Sequence, residues 1–68
     1  MYPPEFRRIV RYENSVYAEI FFPRGELGAP CPVWWDLRMC EHKLKTYKNT
    51  PDEIVYQQAV DALKRTSV

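Results

Sequence analysis

Long apolar runs are absent from this 68-residue sequence, which also holds little glycine, cysteine and histidine. No apolar stretch approaches the roughly 18 residues of a membrane-spanning helix, and the first residues lack the basic and then apolar order of a signal peptide. Lys and Arg number 10 and Asp and Glu number 9, so neither charge dominates. We therefore expect a complete, unexported cytoplasmic protein without membrane binding, and bulk electrostatic capture of nucleic acid is disfavoured.

Few residues of the chain suit catalysis or metal binding. Cys31, Cys40 and His42 lack the paired short intervals of zinc motifs. On either a helix or a strand, Cys40 and His42 are placed poorly for a short hydrogen bond between a nucleophile and its base. Two glycines cannot make a phosphate-binding loop. The sequence therefore predicts no enzyme, no metal site and no cofactor, and its two cysteines are expected as reduced thiols.

Aromatic residues, by contrast, are abundant. They make up 15% of the chain, hydrophobic residues make up 46% and charged residues 28%. This composition is typical of a folded globular protein, and the length allows only one small domain, residues 1–68. The small core of such a domain must rest on a few large side chains.

Residues 5–22 show the period of two that indicates β-strands. Apolar side chains occupy mostly even positions from Phe6 to Phe22, and charged ones mostly odd positions. Both apolar stripes share a face only if Tyr12 lies opposite Val16, which requires a three-residue loop, Glu13-Asn14-Ser15. A two-residue loop would place the stripes on opposite faces. The pattern therefore predicts an antiparallel hairpin with this longer loop.

Residues 33–48, which follow a proline- and glycine-rich connection, allow two interpretations. The favoured one is an extended piece at Val33–Trp35 and then a helix over Leu37–Lys48 that Asp36 caps. In the alternative, this segment contributes a third strand that includes Leu44–Tyr47. The choice between helix and strand stays open at this point.

The last segment predicts a capped helix from Pro51 to about Arg65, with Thr50 as the cap and Glu53 completing a capping box. The predicted fold is thus α+β. An antiparallel β-hairpin, which a third strand can extend, packs against a capped C-terminal α-helix. The predicted core comprises Phe6, Val10, Tyr12, Val16, Ala18, Ile20, Phe22, Leu37, Cys40, Leu44, Val55, Ala59 and Leu63.

The outward face of the hairpin holds candidate binding residues. The expected register places Arg7 opposite Phe21 and Arg11 opposite Tyr17. Two adjacent tryptophans in an extended chain point to opposite sides, so one belongs to the core and the other can contact a partner; which one is left open. Arg38 adds to a modest basic flank. The candidate partner-binding residues are Arg7, Arg11, Tyr17, Phe21, Trp34, Trp35 and Arg38.

These residue types favour a small non-catalytic protein-interaction module, an adaptor or inhibitor that occupies the surface of a partner protein. Tyr, Trp and Arg dominate binding hot spots, and the partner is another protein or a second copy of the chain. The alternative is a weak single-stranded nucleic-acid binder that stacks bases on the outer face of the hairpin. Ordinary cross-strand pairing of arginine with aromatic rings explains the same pattern without any partner.

Overall fold

The computed structural model of the protein describes residues 3–24 and 28–66. Three strands form one antiparallel sheet in the order β1-β2-β3. Both helices pack on the face that carries Ala18 and Ile20, which we call the inner face; the opposite side is the outer face. This arrangement confirms the predicted α+β class and the packing of a hairpin against the C-terminal helix. The elements are β1 (Glu5–Tyr12), β2 (Ser15–Phe22), β3 (Cys31–Trp35), α1 (Leu37–Thr46) and α2 (Glu53–Thr66).

The middle segment is extended first and helical afterwards, as the favoured interpretation predicts. β3 pairs with β2, and Trp35 lies opposite Ala18. α1 then begins at Leu37, because the Asp36 carboxylate accepts a 2.9 Å hydrogen bond from the Met39 amide that the helix itself leaves unpaired. A strand over residues 44–47 is wrong, since the third strand lies upstream of the helix.

The hairpin loop has two residues, so the predicted three-residue loop is wrong. Tyr12 lies opposite Ser15, and Glu13 and Asn14 alone connect the strands. Their φ angles are +48° and +65°. Positive φ at both central residues is the requirement of a type I′ turn, whose twist matches that of the flanking strands. The tight turn is thus compatible with the hairpin twist although Glu13 is poorly suited to this conformation.

A β-bulge at Arg7 makes the short loop compatible with an apolar inner face. The register shifts between Phe6 and Arg8, so that Phe6 lies opposite Ile20 while Ile9 lies opposite Ala18. The bulge adds one residue to β1. The side chains that face the helices therefore stand at even positions before the bulge and at odd positions after it. Val10 and Tyr12 consequently belong to the outer face, and their prediction as core residues is wrong.

The core lies between the inner face and the helices. Ala18, Ile20, Cys40, Ala59 and Leu63 were predicted there and are at most 1% exposed. Ile9 takes the place predicted for Val10. The aromatic ring of Tyr56 is also buried, and Trp35 packs against it with 6.2 Å between ring centroids. The partly buried residues around the core are Phe6, Ile9, Val16, Phe22, Val33, Trp35, Leu37, Leu44 and Val55.

α2 begins at Glu53, two residues later than predicted, and the capping interactions differ. The Thr50 hydroxyl donates to the Tyr47 carbonyl at the end of α1. The Glu53 carboxylate accepts a hydrogen bond from the Asn49 amide at 3.2 Å, and Asn49 has a φ of +67°. These side chains therefore stabilise the short connection between the two helices, and Asn49 suits its left-handed conformation.

The strained turn yields a first prediction. Glu13→Asn should raise the free energy of unfolding by about 0.5–1 kcal/mol, because asparagine tolerates positive φ better than glutamate. Glu13→Ala is the matched control, since it removes the same charge without relieving the backbone. Urea unfolding followed by circular dichroism measures both. Equal stability of the two variants would contradict a left-handed conformation at residue 13.

The corrected register yields a second prediction. Ile9→Ala should lower the free energy of unfolding by about 2 kcal/mol, since Ile9 packs against the core. Val10→Ala on the outer face should cost less than about 1 kcal/mol. The same urea titrations compare the two variants. A larger loss of unfolding free energy for Val10→Ala than for Ile9→Ala would contradict the two-residue loop and support the three-residue loop.

Candidate functional site

The outer face of the sheet carries a concentration of aromatic and charged side chains. Both helices pack on the inner face, and no described element covers the outer one. Each strand contributes to it, because alternate residues of a strand point to the same side. Its members are Arg7, Arg8, Val10, Tyr12, Tyr17, Glu19, Phe21 and Trp34.

Three aromatic rings form a cluster across the three strands. The Trp34 ring on β3 stacks on the Tyr17 ring of β2, with 6.3 Å between centroids and an angle of 26° between planes. The Tyr12 ring of β1 approaches Trp34 at 6.0 Å in a tilted arrangement. Trp34 and Tyr12 are each 48% exposed. The cluster therefore presents large aromatic surfaces to solvent, held in place by contact with one another.

A buried carboxylate fixes the orientation of the exposed tryptophan. Glu19 is only 9% exposed, and its Oε1 accepts a 3.0 Å hydrogen bond from the Trp34 indole N–H. The same oxygen accepts from the Arg8 guanidinium at 3.3 Å. The Trp34 hydrogen bond lowers the pKa of Glu19 most, burial opposes that effect, and Arg8 lowers the pKa further. Glu19 is consequently ionised at neutral pH.

Arg7 and Phe21 form a second contact on this face. The Arg7 guanidinium carbon lies 4.1 Å from the centre of the Phe21 ring, a cation–π distance. The predicted register is wrong here, since Glu5 and not Arg7 lies opposite Phe21, but the bulge still brings the two side chains together. Arg7 also lies 3.6 Å from the Glu5 carboxylate. Both arginines of the outer face therefore have acidic partners.

Three predicted site residues lie elsewhere. The bulge places Arg11 opposite Val16, on the inner-face side of the hairpin. Trp35 packs on the inner face against Phe22 and Tyr56, which settles which tryptophan is the exposed one. Arg38 lies on α1, in the helix layer.

Sequence reasoning also missed members of the outer face. The sequence pattern predicts Tyr12 and Val10 in the core, and the even-numbered face that it predicts as buried also includes Arg8. The signal that could have found them is the pair Glu13-Asn14 read as a two-residue turn, which places Tyr12 opposite Ser15.

The thiols and the histidine do not converge on a site. Cys40 is fully buried and its thiol points toward the Trp35 carbonyl. Burial and the nearby Asp36 charge raise the pKa of Cys40 to about 11, which makes it a poor nucleophile. Cys31 is exposed on β3, and both cysteines are free. Within residues 3–24 and 28–66, no group of three or more possible metal-binding side chains occurs.

Comparison of the chain with protein-family models, curated proteins and solved structures finds no match. Among the described helices, none combines the length and apolar character needed to cross a bilayer. The outer face of the sheet is therefore the main structural indication of function.

Glu19 generates a third prediction, on pH dependence. Its pKa in the folded protein lies below the ordinary glutamate value of 4.5, so its ionised form stabilises the fold at pH values above 4.5. This stabilisation should disappear as pH falls from 4.5 through the lowered folded-state pKa. Glu19→Gln should lose this part of the acid sensitivity, whereas the exposed Glu13→Gln should retain it. Thermal unfolding across the acidic range measures both, and identical pH profiles would contradict the role of Glu19.

Proposed function

We propose that this protein is a non-catalytic protein-interaction module that acts as an adaptor or inhibitor by docking the outer face of its sheet onto another protein. The observation that carries this proposal is the exposed Trp34, oriented by a hydrogen bond to the buried Glu19 carboxylate. Tryptophan, tyrosine and arginine are the residues that dominate binding hot spots. Trp34, Tyr17 and Arg7 combine all three on one face.

The hydrogen-bond network of Glu19 with Trp34 and Arg8 is not what the stability of the fold alone would favour. An apolar residue at this strand position would avoid the cost of taking a carboxylate out of water. The carboxylate instead holds the indole of Trp34, and Arg8 completes the network. An aromatic side chain held in one orientation loses little conformational entropy on binding. The network therefore supports a preorganised docking surface.

The charge balance of the face favours a protein over a nucleic acid. Arg8 pairs with Glu19 at 3.3 Å and Arg7 approaches Glu5 at 3.6 Å. Phosphate binding depends on cations that displace counterions, and acidic neighbours on the same face oppose it. A partner protein requires no net positive charge, only complementary pairing at the edge of the contact.

The properties of the two cysteines support a non-catalytic role and a reducing compartment. Cys40, buried and with a raised pKa, is unsuited to nucleophilic catalysis. Cys31 is exposed as a free thiol, which suits a reducing compartment. We therefore propose the cytoplasm as the compartment of this interaction.

Affinity capture with the tagged full chain as bait tests the proposal. The triple variant Arg7→Ala, Tyr17→Ala and Trp34→Ala should reduce the binding of the specific partner by about tenfold or more. A matched variant of the helix layer, Met39→Ala, Lys45→Ala and Ile54→Ala, removes one cation and two exposed apolar side chains and should leave binding unchanged. Circular dichroism checks folding, and Tyr12→Ala probes the same face if the triple variant does not fold.

Three outcomes would overturn the proposal. The first is equal binding of every captured protein by the wild type and the outer-face variants. The second is tight binding of a labelled oligothymidine strand that depends on Tyr17 and Trp34 and weakens steeply with salt, which would establish the nucleic-acid alternative. The third is a concentration-dependent dimer in sedimentation that disappears in the same variants, which would make a second copy of the chain the occupant.

A further inference from the structure

A concave region lies on the side of the sheet opposite to the outer face. It is a cleft of about 740 Å³ between the inner face, near the ends of β2 and β3, and the two helices. This volume lies within the range of roughly 300–1,000 Å³ that is typical of small-molecule sites. The side chains that define its chemistry are Phe22, Arg24, Cys31, Trp35, Lys43, Tyr47 and Tyr56.

Four aromatic rings make a continuous wall in this cleft. Phe22 meets Trp35 edge to face at 5.5 Å, Trp35 meets Tyr56 at 6.2 Å, and Tyr56 meets Tyr47 at 5.4 Å. Tyr56 is 2% exposed and belongs to the core, so the wall is anchored in the fold. An apolar wall of this kind favours a flat, aromatic ligand body.

Two cations, Arg24 and Lys43, line the cleft, and the Lys43 ammonium lies against the aromatic wall. The Lys43 Nζ is 5.1 Å from the centre of the Trp35 ring and 5.9 Å from that of Tyr47. The ion pairs found in the described part of the chain involve Arg7 and Arg8, so no described carboxylate neutralises Lys43. Partial burial against rings strengthens the attraction of this ammonium for an anion.

We propose that the cleft binds a small-molecule aromatic carboxylate, with the ring against the aromatic wall and the carboxylate on Lys43. The cleft lies between two layers of the protein, whereas the outer face is an open sheet. The chemistry of the two surfaces also differs, since the arginines of the outer face have acidic partners and Lys43 has aromatic ones. This site is independent of the proposed docking surface.

Calorimetric titration with 2-naphthoate, beside its neutral analogue 2-naphthamide, tests the proposal. The carboxylate should bind about tenfold more tightly than the amide, since an ion pair with Lys43 replaces a hydrogen bond from the ammonium to a neutral carbonyl. Lys43→Met should remove this preference and Lys43→Arg should retain it. Lys45→Met, a change on the exposed side of the same helix, should bind like the wild type. Circular dichroism verifies that each variant is folded.

Protection of the Cys31 thiol from alkylation tests whether the ligand binds in this cleft. Iodoacetamide should alkylate the exposed Cys31 and spare the buried Cys40, and 2-naphthoate should slow the reaction. Trp34→Ala should leave both titration and protection unchanged, which separates this site from the outer face. Absence of naphthoate binding, equal affinity for acid and amide, or binding that Lys43→Met leaves intact would each overturn the proposal.

Discussion

The pairing of β1 with β2 controls nearly everything else in this structure. A two-residue turn at Glu13-Asn14 sets the register at one end, and the bulge at Arg7 adds one residue near the other. Together they direct Phe6 and Ile9 to the helices and Tyr12 to the outside. Because side chains alternate strictly along a strand, a slip of one residue would exchange these faces. The bulge thus lets one strand serve the core and an aromatic outer surface at once.

The sheet divides the aromatic residues between stability and binding. A domain of this size has little apolar surface to bury, and Trp35 and Tyr56 supply bulk to the inner layer. Trp34, only one residue from Trp35, faces the opposite way and is held by Glu19. The adjacent tryptophans therefore serve the two sides of the sheet, and the two proposed sites use separate sets of aromatic residues.

Local signals in the sequence predicted the helices well. Asp36 caps α1 as expected, and the apolar stripe of the C-terminal segment packs on the sheet. The candidate site was predicted in part: Arg7, Tyr17, Phe21 and Trp34 lie on the outer face, whereas Arg11, Trp35 and Arg38 do not. The error at Arg11 concerns register, since a bulge leaves no distinct residue type at Arg7 and its effect appears only when two strands pair. Trp35 faces the helices because neighbouring residues of β3 point to opposite sides, and Arg38 lies on α1.

The sequence alone determined the class of fold, the presence of a hairpin and the C-terminal helix, and it favoured a helix over a strand for the middle segment. These features follow from interactions between residues close along the chain, such as caps, periodicity and turn propensity. Only the tertiary structure decided that Trp34 is the exposed tryptophan, that Glu19 binds it and that Lys43 lies against aromatic rings. Those contacts join residues on different elements, and their geometry depends on a register that local preferences leave undetermined.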